Sequence, residues 1–162
     1  MDMMLLAAQA LATGLIAAWL ATGVRDNILY PSVNETYTAE VMEMVRIRED
    51  YPEAFQYVAH RAVTNRVLQQ WAFRLVVAVE LLATLVLCAG VIALVMAIVG
   101  TATPEGARTI AMAGTMLYTA VWAGFLVAGN HFCYWFGHEG AQNTHYQMTL
   151  WGIGTLILLA QS

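Results

Sequence analysis

The sequence predicts an all-α membrane protein: a four-transmembrane-helix bundle with an amphipathic extramembrane helical segment between helices 1 and 2, all in one integral membrane domain over 1–162. Three observations lead there. Hydrophobic residues make up 60% of the chain and charged residues 11%, where soluble domains average about 45–50% and about 25%. The charges are segregated, with six of the seven arginines and seven of the eleven acids lying between Arg25 and Arg74. The remainder is nearly uncharged and falls into apolar runs long enough to approach the thickness of a bilayer. A net charge of −4 with no basic stripe gives no reason to expect nucleic acid as a partner. Every basic residue other than histidine is arginine, which reads as codon bias.

The first span is placed at about 3–22. The N-terminal run MDMMLLAAQALATGLIAAWLATG lacks the positive start of a signal peptide, and its apolar stretch exceeds the roughly 7–15 residues of a signal core. It reads as a retained helix. Ala10, Gly14, Ala18 and Thr22 recur at i+4 and form a small-residue stripe, the feature that lets helices approach closely in lipid; the stripe is expected to mark the packed face.

A polar, amphipathic segment covers 25–70. Asp26, Asn27, Pro31, Ser32 and Asn34 are turn formers and predict an opening loop. Thr38 to Arg48 takes helical periodicity, with Val41, Met44, Val45 and Arg48 on one face, as in a helix lying on the membrane. Asp50, Pro52 and Glu53 have the arrangement of a capped helix start. No Gly or Pro follows until Gly90, so one long helix is expected to begin outside the bilayer and run on into the second span, about 71–99, with Phe55, Val58, Ala62 and Gln69 on its packed side. That span carries Glu80, an ionisable group whose insertion costs about 2.5–3.5 kcal/mol.

Gly100 to Arg108 forms a hairpin around Pro104 and Gly106. The third span follows at about 109–128, with a second small-residue stripe of Ala120, Gly124 and Ala128. A polar reentry is expected over 129–144, where Gly137 and Gly140 break the helix. The last span is placed at about 145–161, but clean apolarity begins only at Met148 and ends at Ala160. That is about 20 Å of helix, too short for a core of about 30 Å. Asn143, Thr144, His145 and Gln147 must therefore reach membrane depth, where only protein or trapped water can satisfy them. Four spans leave both termini on one side, and the arginine count puts 25–70 in the cytoplasm.

The polar residues gather around 129–151. His131, His138 and His145 recur at spacing seven, about 10 Å apart on a continuous helix and too far to share a metal; a turn could bring His131, Cys133 and His138 together, though no strong zinc spacing is present. A haem between His131 and His145, or a quinone headgroup beside Tyr134 and Trp135 bonded by histidine or Glu80, is also compatible with the composition. The plainer expectation has two parts. Phe132, Tyr134, Trp135 and Phe136 form an interfacial aromatic belt, while Asn130, His131, Glu139, Gln142, His145 and Gln147 form with Glu80 a buried polar cluster that holds the bundle in register. Cys88 and Cys133 read as small buried thiols. No nucleophile–base pair, phosphate loop or dinucleotide fingerprint is present.

In VRDNILYPSVNETYTAEVMEMVRIREDYP and NHFCYWFGHEGAQNTH, set within this order of spans, the chain resembles a bacterial family of predicted small integral membrane proteins, a domain of unknown function. The resemblance extends over nearly the whole chain. It implies a four-helix protein of the bacterial inner membrane with no established activity, and it supplies no catalytic residues. The function expected from the sequence is a non-catalytic accessory subunit of a larger respiratory or photosynthetic membrane complex. The alternatives are a redox protein binding haem, metal or quinone through His131, His145 and Glu80, and a small transporter with Glu80 as proton carrier.

Overall fold

The computed structural model describes residues 3–162, and the secondary structure of those residues is helical throughout. Seven α-helices occur among them: α1 (Met3–Leu29), α2 (Pro31–Met42), α3 (Val45–Asp50), α4 (Pro52–Val58), α5 (Arg66–Ile98), α6 (Pro104–His131) and α7 (Glu139–Leu159). A 3₁₀ turn, Ala59–Arg61, follows α4. The long helices pack side by side, α5 between α1 and α6, with α7 on the far side of α6 and touching α1. The short helices α2 to α4 sit over one end.

Three helices, α1, α5 and α6, are long and apolar enough to cross a membrane. The packing is inverted relative to a soluble bundle. Leu11, Leu15, Leu75, Leu82, Leu85, Ile92, Met116, Val127, Leu150 and Ile157 all face outward, forming an apolar surface far beyond what water tolerates. The interior mixes large and small residues. Ile16, Ala17, Leu20, Ala83, Leu87 and Tyr118 form one part of the core, and Leu6, Leu94, Ala97, Ala107, Ala111 and Leu159 another.

Close approach occurs at glycines. A Cβ on Gly90 would stand 2.6 Å from Ala111 Cα, and one on Gly114 would stand 2.8 Å from Leu87 N. Gly152 brings α7 onto Thr119 and Tyr118 of α6 in the same way. The two stripes expected to mark packed faces are placed differently. Ala10 and Gly14 border α5 and are half-buried, whereas Ala18, Ala120, Gly124 and Ala128 face outward. The buried face of α1 is instead Leu6, Gln9, Thr13, Ile16, Ala17, Leu20 and Val24.

Several boundaries depart from expectation, each for a local reason. The first span does not end near 22 in a loop: α1 continues to Leu29 and α2 starts at Pro31. The break is confined to Tyr30 (φ −132°, ψ 54°), because proline pushes its predecessor out of the α region. The same rule places Tyr51 (φ −136°, ψ 58°) between α3 and α4. Asp50 is thus the last residue of α3 and caps nothing, while Pro52 does open α4. The expected helix over 38–48 is broken at Met44, which adopts a left-handed conformation (φ 56°). That kink buries both Met44 and Ile47 against Cys133, Phe55 and Phe132.

The expected continuous helix from 52 to 90 is interrupted at 62–65. Val63 N donates to Met42 O at 2.8 Å, Gln69 Nε2 donates to Val63 O at 2.8 Å, and Asn65 caps α5 by accepting from Val67 N and Leu68 N. At the other end the expected reentry shrinks to a turn at 132–138. Gly137 (φ 88°) makes the break, and a Cβ there would also meet Arg46 Cβ at 2.7 Å. Gly140 lies inside the first turn of α7 and breaks nothing.

Gly114→Ala is expected to force α5 and α6 apart and to destabilise the fold by about 1–3 kcal/mol. Gly124→Ala, where a Cβ meets nothing within 4 Å, is expected to leave the melting temperature in detergent unchanged or slightly raised. Thermal melts of the two variants beside the parent check both.

Candidate functional site

Where the ends of α1 and α6 meet the starts of α5 and α7 lies a cavity of about 620 Å³ roofed by α2. Its walls are mostly aromatic and aliphatic, with Trp19, Phe73, Trp122, Phe125 and Phe132 among them. Asn34, Tyr37, Thr38 and Val41 of α2 close the top.

The polar side of the cavity is a short chain of hydrogen bonds from Glu80. The carboxyl is 5% exposed. Asn27 Nδ2 donates to Glu80 Oε2 at 2.9 Å, and Asn34 Nδ2 donates to Asn27 Oδ1 at 2.6 Å. Thr84 Oγ1 donates to the Glu80 carbonyl at 2.8 Å. The carboxyl thus has a neutral amide partner. Among the described residues the ion pairs are Arg25–Asp26 and Arg66–Glu35, and neither involves Glu80.

The opposite side is an aromatic cage around His145. Its ring stacks on Phe125 at 4.8 Å between centroids, with Trp122 at 5.6 Å and Tyr134 at 6.0 Å. His145 Nδ1 and the Tyr134 hydroxyl are buried without a hydrogen-bond partner. Trp122 Nε1 is likewise buried without a partner, while the Tyr118 hydroxyl donates to Met148 Sδ at 3.3 Å. An unsatisfied buried polar group costs about 1–3 kcal/mol, and three of the side chains lining this cavity carry such an atom.

The remaining sequence-predicted residues are dispersed. Asn130, His131, Glu139 and Gln147 are exposed and Gln142 is half-buried. Among the described residues, no hydrogen bond joins these five side chains to one another, to His145 or to Glu80. Phe132, Trp135 and Phe136 do not spread as a belt; they turn under the cap and pack with Met44, Ile47 and Cys133, Phe136 meeting Tyr51 edge-on at 4.9 Å. His131 packs on Phe132 at the surface, apart from the His145 cage, so the two imidazoles expected to flank a haem have separate surroundings. Cys133 is buried and His138 is engaged by Tyr37. Among the described residues, no group of three or more His, Cys, Asp and Glu could hold a metal ion. Asn27 and Asn34, read in the sequence as turn formers, are the residues that sequence reasoning missed; Asn27 sits three residues after Val24 and continues the buried face of α1.

His138 fastens the roof. Its Nδ1 lies 2.9 Å from the Tyr37 hydroxyl, and the two rings meet edge-on at 5.1 Å. Burial, and secondarily Arg46, hold the imidazole below its ordinary range against the opposing pull of Glu40 and Glu139. Burial, with Glu40, raises the Tyr37 phenol, and Arg46 opposes. Both groups are therefore neutral at about pH 7 and share one hydrogen bond, its direction set by the imidazole tautomer.

A bundle with apolar outer faces and three membrane-length helices defines a polytopic integral membrane protein. The chain belongs to the family described as predicted small integral membrane protein (DUF2165), whose model matches residues 5–162. Comparisons with curated proteins and with solved structures give no match.

The His138 contact has a pH signature. Unfolded, the imidazole titrates near 6.5; folded, it titrates lower. Between those values the unfolded chain binds more protons, so the stabilisation is complete above about pH 6.5 and is lost as pH falls through that window. Melting temperature is expected to drop between about pH 7.5 and about pH 5.5, and His138→Asn to flatten that dependence while lowering the plateau.

Proposed function

We propose that this protein is a non-catalytic, ligand-holding membrane protein that crosses the bilayer four times, with α7 as the last crossing. The observation that carries the proposal is the cavity itself. A volume of about 620 Å³ falls within the range of about 300–1,000 Å³ typical of small-molecule sites. It joins an aromatic wall to one convergent polar array, Glu80–Asn27–Asn34, the composition such sites usually have. No nucleophile–base pair accompanies it, which favours holding over turnover.

Support for the fourth crossing comes from how α7 is matched to its neighbours. Its 21 residues span about 31 Å, against a hydrocarbon core of about 30 Å. Gln9 Nε2 of α1 donates to Leu158 O and Gln161 O, and Arg108 Nη1 donates to Gln161 O. At the opposite end His145 enters the aromatic cage. The polar first half of α7 lowers its mean hydropathy, but its inward face is covered by α1 and α6. The placement is that of a bacterial inner membrane, with the 25–70 segment in the cytoplasm by the arginine excess.

A second reading, an accessory subunit of a larger membrane complex, is favoured by one observation. Ala120, Gly124 and Ala128 lie along the outward face of α6, where a small-residue stripe suits a helix of another chain. The two readings are compatible.

Ala72 lines the cavity, and Ala72→Trp is expected to fill it. Native mass spectrometry of gently extracted protein should show a bound lipid-phase small molecule that the variant loses while its circular dichroism is unchanged. Equal adducts on both proteins would count against the cavity. Gly124→Leu is expected to shift native-gel migration toward the free chain; unaltered migration would remove the second reading.

A further inference from the structure

We infer that the cavity is built for a lipophilic organic cation, an amine or onium centre carried on apolar rings or chains; this rests on the ligand-holding reading above and names its ligand class. Charge is the first ground. Among the residues lining the cavity are two carboxyl groups, Asp26 and Glu80, and no arginine; the chain has no lysine. Asp26 is paired at the surface with Arg25 at 3.2 Å. Glu80 is buried at 5% exposure and no protein cation pairs with it among the described residues. Its hydrogen-bond partner is the neutral Asn27 amide, on Oε2, while Oε1 takes no hydrogen bond among the described residues. Ionisation of a buried carboxyl is tolerated only where a countercharge pairs with it, and a cationic ligand would bring that countercharge with it.

The walls are the second ground. Trp19, Trp122 and Phe125 line the same cavity as Glu80, and the faces of such rings attract cations, tryptophan best. Aromatic rings and a carboxyl on the lining of one cavity are elements by which proteins hold ammonium groups that cannot be recognised by hydrogen bonds alone. Size is the third ground. A cavity of about 620 Å³ is far larger than a metal or simple ammonium ion and calls for an organic body, whose apolar part the aliphatic and aromatic walls would cover.

The test uses the full chain in lipid nanodiscs, with protein-free nanodiscs as the partition control. Three probes of similar shape are compared by equilibrium dialysis: tetraphenylphosphonium, neutral triphenylphosphine oxide and anionic tetraphenylborate. The expected result is saturable binding of the cation at least about tenfold tighter than either of the others. Glu80→Gln is expected to weaken the cation by about tenfold or more and leave the neutral probe unchanged, and Phe125→Leu to weaken the cation several-fold more than the neutral probe. Saturable binding with no preference for the cation would overturn the ligand class while leaving the cavity standing. Absence of saturable binding by all three probes would sink both. The comparison on the unmodified protein decides the matter even if Glu80→Gln does not fold.

Discussion

Lipid offers no hydrogen bonds, so every polar group at membrane depth has to find its partner within the protein. The long helices show how completely this is met. Thr13, Thr84, Thr115, Thr119, Thr149 and Thr155 each donate to the carbonyl four residues earlier in their own helix. Gln9, fully buried in α1, is spent on the last carbonyls of α7 and its C-terminal extension. Glu80 is answered by an asparagine whose helix had to continue past the expected end of the span to reach it. Of the buried polar atoms left without a partner among the described residues, Gln9 Oε1 lies at the α7 C-terminal end and the other three, on Trp122, Tyr134 and His145, belong to side chains that line the cavity.

The class of fold was legible because hydropathy and charge segregation act over whole segments and do not depend on detail. The approximate positions of the three membrane-length helices followed from the same signal, as did the turn at Pro104, where Thr103 accepts from Gly106 N at 3.3 Å. Boundaries were less legible. Asn27 is a turn former by local propensity, yet its hydrogen bond to Glu80 of α5 holds it in the last turn of α1. Met44 has no local reason to leave the helix; it does so because the turn after α6 offers a pocket that the kink lets it fill. Small residues at i+4 proved a poor guide to the packed face, because Gly90, Gly114 and Gly152 achieve the closest approaches singly and not as stripes.

The site was half legible. Glu80 and His145 stood out as polar residues where hydrophobic ones were due, and both line the cavity. Their neighbours in the sequence did not join them, since Asn130, His131, Glu139 and Gln147 occupy the outward sides of the same helices and turn. A helix spreads adjacent residues over a full turn, so proximity along the chain says little about which side chains converge. The partners came from distant segments, Asn27, Asn34, Trp122 and Phe125, and no spacing in a single sequence links those to Glu80 or His145.

The inverted distribution of side chains has a consequence for how this molecule holds its shape. Many large aliphatic residues point away from the helix axes' common centre, which holds Ile16, Leu20, Leu87, Leu94, Leu159 and Tyr118 among alanine, threonine and glycine. The solvent that keeps the polypeptide folded is therefore the hydrocarbon around it. Moved into water the helices would expose that outer coat, so the molecule depends on hydrocarbon, or a detergent in its place, to cover it.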